Sequence, residues 1–75
     1  MINIDWDEFK EFKKYTHSRD NFEITLRYLK SYYNISTPID VYETLKNDDI
    51  GQMMLRKRNI ASAEDLEHYL FKVKI

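Results

Sequence analysis

Seventy-five residues make one small domain, 1–75, and a chain of that length buries only about 60 % of its unfolded surface. Thirteen acidic against twelve basic residues, spread along the whole chain, remove strong attraction to nucleic acid or an acidic membrane as the default expectation. With no Cys there is no disulfide framework and no thiolate metal site, so stability must come from packing. Four Phe, six Tyr and Trp6 supply it, each ring burying on the order of 150–250 Å². The surplus of Tyr also hints at a binding face.

The opening MINIDWDEF lacks a basic region and a long apolar run, so it does not read as a signal peptide. No segment approaches the roughly eighteen apolar residues of a membrane span. The expectation is a soluble, cytoplasmic protein. Abundant Ile, Lys, Asn and Tyr with scarce Ala, Gly, Pro and Arg fit translation of an AT-rich genome, such as that of a low-GC bacterium or its phages.

In chain order, Asp5-x-x-Glu8 has the form of a capping box and predicts a first helix near 6–16, with Trp6, Phe9 and Phe12 along it. Met1–Ile4 reads as extended at most, since a lone strand has nothing to pair with. Ser18 or Asp20 starts the central helix. Phe22, Leu26, Leu29 and Tyr33 form one apolar stripe of that helix, and Ile24, Tyr28 and Tyr32 form a second. Only a narrow polar strip remains around Glu23, Arg27 and Lys30, so this helix needs neighbours on more than one side. Asn34 suits the left-handed residue that closes it.

Thr37-Pro38 predicts the third helix: Thr37 caps it, and Pro38 takes the first helical position, where its missing N–H costs nothing. Ile39, Tyr42 and Leu45 are its expected buried stripe. Asp49-x-x-Gln52 opens a fourth, with Ile50, Met53 and Met54 inward and Asn59 at its end. Ser62-x-x-Asp65 opens the last, with Ala63, Leu66, Leu70 and Val73 as its core face and Ile60 packing back before it. The expected fold is all-α, a compact bundle of about five short helices.

Chemistry is sparse. His17 and His68 lie in different segments with no partner at ligand spacing, and the acidic clusters Asp5-Asp7-Glu8 and Asp48-Asp49 lack the pattern of a calcium loop. They read as caps and solvated surface, so neither metal nor cofactor is expected. No phosphate loop, GxSxG elbow or Cys nucleophile is present. Glu64 and His68, at i, i+4, read as ordinary surface pairing rather than a catalytic dyad. The protein is not expected to be an enzyme.

Arg56-Lys57-Arg58, followed by a turn and a helix, superficially suggests helix-turn-helix. The would-be reading helix carries Glu64, Asp65 and Glu67 where the groove is lined by phosphates, and it lacks Arg, Asn or Gln to read bases. Basic residues in a last turn also complement the helix dipole. A second cluster, Lys13, Lys14, His17 and Arg19, adds to the run only where the fold joins the two. Met53-Met54-Leu55 is apolar at three adjacent positions, more than one helix face buries, and Met is common on adaptable binding surfaces. Tyr15, Tyr32 and Tyr33 raise the same choice between core and interface.

From Phe22 onward the chain resembles the YozE-type proteins, small SAM-like helical proteins of low-GC Gram-positive bacteria. Tyr28-Leu29-Lys30, Ile39 opening a helix, Asp49 ten residues later and Tyr69-Leu70 carry the resemblance. The chain departs from that family in lacking Phe-Pro after the aspartate, in its extra N-terminal helix and in a longer gap before Tyr69-Leu70. The resemblance implies a compact helical bundle, SAM-like, and the family has no established activity to carry over.

The functional expectation is a non-enzymatic module binding a protein partner stoichiometrically. Its profile is that of phage or mobile-element inhibitors, including anti-CRISPR and other anti-defence proteins. Tyr15, Tyr32 and Met54 are the candidate anchors, with Arg56, Lys57 and Arg58 as a charged rim. The alternatives are an accessory protein contacting a nucleic-acid backbone through Arg56–Arg58, and a homodimer seam made by the exposed aromatics.

Overall fold

The computed structural model describes residues 3–17 and 20–73. Among them it has five helices and no strand: α1 Trp6–Lys14, α2 Asn21–Tyr33, α3 Pro38–Lys46, α4 Asp49–Lys57 and α5 Ala63–Val73. Ser18 as an alternative start of α2, Arg19 in the second basic cluster, Met1 and Ile2 of the extended segment, and the side chain of Val73 lie outside the described residues.

Every helix begins at a side-chain oxygen that accepts an otherwise unpaired amide. Asp5 accepts from the amides of Asp7 and Glu8 (3.1 and 3.0 Å), and Asp20 from that of Phe22 (2.9 Å). Thr37 Oγ1 accepts from Asp40, with Pro38 in the first turn of α3. Asp48 rather than Asp49 caps α4, accepting from the Gly51 amide at 2.9 Å. Ser62 and Asp65 make the reciprocal box, Ser62 Oγ accepting from the Asp65 amide while the Asp65 carboxylate accepts from the amide of Ala61. In α1 the box is only half made: Glu8 turns inward to accept from the Tyr28 hydroxyl at 2.6 Å.

Two helices close by the same device. Asn34 and Asn59 both take left-handed backbone, φ 56°, which Asn tolerates better than most residues. The following amides, Ile35 and Ile60, donate back to Leu29 O and Leu55 O at 3.1 and 2.9 Å. Ile60 is buried against the core as that turn is made.

The fold is built on α2. Phe22, Ile24, Thr25, Leu26, Tyr28 and Leu29 are all buried. At roughly 1.5 Å per residue its thirteen residues run about 20 Å, most of a molecule measuring 29 × 26 × 22 Å. Each neighbour covers a different part of its circumference. From α1, the rings of Phe9 and Phe12 each lie 5.7 Å from that of Tyr28. From α4, Met54 Sδ accepts from the Thr25 hydroxyl. From α5, Tyr69 stands edge-on to Phe22 at 5.2 Å. Trp6 donates its indole N–H to both oxygens of Asp48 (3.1 and 3.0 Å), joining the start of α1 to the cap of α4.

Two expected stripes are only partly met. In α3 Leu45 of the expected stripe is fully buried and Tyr42 packs half-buried against the core, but Ile39 is 65 % exposed, and Val41 and Thr44 complete the buried face instead. In α4 the inward residues are Gly51 and Leu55, one turn apart, and Ile50 and Met53 are exposed. The cause is local. Gly51 lies against the backbone of Leu45, and that close approach fixes the rotation of α4. Met53, about 200° around from Gly51, must then face away.

Candidate interaction surface

The two imidazoles, His17 and His68, are both exposed. Among the described residues no group of three or more His, Asp or Glu side chains stands close enough to hold a metal ion. No helix of the described residues is long and apolar enough to cross a membrane.

The fold splits the basic run. Arg56 and Lys57 are exposed, whereas Arg58 turns back across the molecule. Its guanidinium pairs with the Asp20 carboxylate and lies 4.7 Å from the centre of the Phe22 ring. Tyr69 Oη donates to the other Asp20 oxygen at 3.2 Å. Arg58 thereby ties the end of α4 to the start of α2 and to α5, and the free rim is reduced to two residues.

Partial burial raises the Asp20 pKa, but the Phe22 amide, the charge and hydrogen bond of Arg58 and the Tyr69 hydroxyl outweigh it, so the carboxyl titrates below its ordinary 3.8. A carboxyl whose folded pKa is depressed contributes stability above its unfolded pKa and loses that contribution as pH falls through the folded value. Acid unfolding followed by Trp6 fluorescence should therefore show stability declining below about pH 3.8, with a shallower decline in Asp20→Asn.

The aromatic and methionine candidates also divide. Met54 is half-buried, its sulfur turned to Thr25, and the methionine open to solvent is Met53 at 56 %. Tyr32 is 52 % exposed, with one side of its ring packed edge-on against Phe12 at 5.6 Å and tilted over Tyr28 at 4.9 Å. Tyr15, at the end of α1, is 83 % exposed. Tyr15 and Tyr32 both belong to the α1–α2 seam: one is three residues on from Phe12, the other stacks against Phe12.

Beside them an open groove of about 530 Å³ separates the end of α1 from α2. Phe12, Tyr15, Thr16 and His17 line it from α1 and the turn that follows; Arg27, Lys30 and Ser31 line it from α2. The last three sit at i, i+3 and i+4, one helix face. Arg27 pairs with Glu23 at 2.8 Å through one nitrogen, and Lys14 with Glu11 at 3.0 Å. Lys30 is exposed, and among the described residues no carboxylate lies within ion-pair reach of it.

The chain matches no protein-family model, no curated protein and no solved structure.

Sequence reasoning placed Arg27 and Lys30 on the polar strip of α2, but nothing local signalled that the end of α1 would lie across them. It also passed over Phe71, now 84 % exposed on α5, and assigned Ile39, Ile50 and Met53 to the core. Among the described residues, no hydrogen bond, ion pair or ring contact joins the two groups of candidates into a single patch. Tyr15 and Tyr32 share the α1–α2 seam, while Arg56 and Lys57 stand at the far end of α4.

Proposed function

We propose that the protein is a non-catalytic module that binds a protein partner stoichiometrically, and that the α1–α2 seam is the binding face. The observation that carries this reading is the exposure of two tyrosines along one seam: Tyr32, its ring packed on Phe12, and Tyr15, which with Phe12 lines an open groove. A tyrosine backed by a packed aromatic layer offers a large, stiff contact area at low conformational cost, the character of an interface anchor. A small, Cys-free, aromatic-rich and near-neutral composition supports reading the module as a phage or mobile-element inhibitor of the anti-defence kind.

A second reading, contact with a nucleic-acid backbone, draws on the exposed Arg56 and Lys57. Two exposed cations at the end of one helix, on a chain of net charge −1, make a weak electrostatic footprint. Affinity capture from the lysate of a low-GC bacterium, with and without nuclease, separates the two. The protein-binding reading predicts a partner retained after nuclease and lost by a Tyr15→Ala bait. Loss on nuclease treatment would move the function to Arg56 and Lys57.

A further inference from the structure

The groove beside Tyr15 has a chemistry of its own. Resting on the protein-binding reading, we infer that it receives an acidic segment of the partner, a carboxylate seated at Lys30 and Arg27 and an adjacent apolar side chain laid against Tyr15 and Phe12.

The charge distribution argues for this occupant. The chain as a whole is close to neutral, yet the groove brings together Lys30, Arg27 and the imidazole of His17, with Lys13 and Lys14 in the preceding turn. Lys30 presents three N–H donors, and no carboxylate among the described residues engages them. The guanidinium of Arg27 has five N–H donors in a planar fork, and Glu23 is bonded through one nitrogen. Ser31 and Thr16 supply hydroxyls at the same opening. At about 530 Å³ the space is of the size that holds several side chains rather than a lone ion.

The same geometry disfavours a nucleic acid. Glu23 and Glu11 pair with Arg27 and Lys14, so carboxylates alternate with the cations in this region. A continuous row of phosphates would meet both acids; a segment that places one carboxylate at Lys30 and the Arg27 donors Glu23 leaves open, with an apolar side chain beside it, meets Glu23 alone. The phenol and benzyl rings of Tyr15 and Phe12 add an apolar surface that a neighbouring Leu or aromatic side chain of the partner can cover.

The test is an amide NMR titration of the whole chain with three probes: a short alternating Glu–Leu peptide, the matching Lys–Leu peptide and oligo-dT. The Glu–Leu peptide should move the amides of Tyr15, Thr16, Arg27, Lys30 and Ser31, with an affinity that drops as salt is added. Lys30→Glu, at an exposed position and first shown to keep its melting midpoint, should weaken it roughly tenfold, since one exposed pair is lost and a repulsive one replaces it. Lys30→Met should fall between. Equal shifts with the Lys–Leu peptide, shifts centred away from the groove, or indifference to Lys30→Glu would overturn the inference, as would oligo-dT moving these amides where the Glu–Leu peptide does not. Its failure alongside a captured, Tyr15-dependent protein partner would remove the acidic segment and leave the protein-binding reading standing.

Discussion

Gly51→Ala should destabilise the protein by about 3 kcal/mol, although helix propensity alone favours Ala by about 1 kcal/mol. A Cβ built at Gly51 meets the Leu45 carbonyl oxygen in a clash, and lies 2.8 and 2.9 Å from Leu45 Cα and C. These are backbone atoms of the neighbouring helix, so no side chain can swing aside. The glycine is not needed for its dihedral freedom, since no glycine here has positive φ. It is needed for the closeness of α3 and α4, and a methyl group there must push them apart. That strains the Asp48 cap and the Trp6 indole bonds at the start of α4 as well. For a domain of this size the loss corresponds to a midpoint lowered by on the order of 15 °C, readable by Trp6 fluorescence or circular dichroism. A midpoint that rises would mean that α3 and α4 do not pack as closely as described.

Tyr28→Ala should be as damaging, costing about 3–5 kcal/mol. Total stability expected for this length is roughly 4–11 kcal/mol, so most of the molecules would be near their unfolding threshold. Tyr28 is fully buried, and its ring contacts Phe9, Phe12, Tyr32 and Tyr33. Its hydroxyl donates to Glu8 at 2.6 Å and lies 3.2 Å from Asp5 O and 3.1 Å from the Tyr33 hydroxyl. Burial, then the bonded Glu8 carboxylate and Tyr33, push the phenol far above its ordinary 10.0, so it stays protonated as the donor across the range of the experiments. Tyr28→Phe separates the ring from the hydroxyl. It keeps the packing, strips Glu8 of its buried donor and should cost about 1–2 kcal/mol. Chemical denaturation of both variants checks the pair: equal losses would show that the ring packing described around Tyr28 contributes little.

The contrast between these two residues explains what could be read from the sequence. Tyr28 announced itself, because α2 carries two apolar stripes and a helix so covered has to be central. The starts of the helices were equally legible: Asp5, Asp20, Thr37 and Ser62 are short polar residues in positions where local hydrogen bonding alone decides, and Asn34 and Asn59 take the left-handed turns that their side chains tolerate. Gly51 carried no such local sign. Its role depends on Leu45, six residues away on another helix, and that contact sets the rotation of α4. Hence the apolar spacing turns Ile50, Met53 and Met54 all inward, with Met54 also a candidate anchor, whereas packing keeps only Met54 partly inward and leaves Ile50 and Met53 out.

The candidate surface was legible to the same degree. Tyr15 and Tyr32 were visible as surplus aromatics, but the packing of Tyr32 on Phe12 and the groove that Phe12 and Tyr15 line are tertiary facts. Arg58 looked like one more cation of a basic run until the fold paired it with Asp20 and Phe22. The groove is composed of residues at 12–17 and 27–31 that only the α1–α2 hairpin brings together.

The measurement that bears most directly on the central claim is calorimetric titration of a captured partner into wild-type protein, Tyr15→Ala and Met53→Ala, each first shown to retain its melting midpoint. The α1–α2 seam predicts a loss of about 2 kcal/mol or more, roughly thirtyfold in Kd, for Tyr15→Ala and little change for Met53→Ala. The reverse order, with Tyr15→Ala binding as wild type and Met53→Ala failing to bind, would contradict it and move the interface to the outer face of α4.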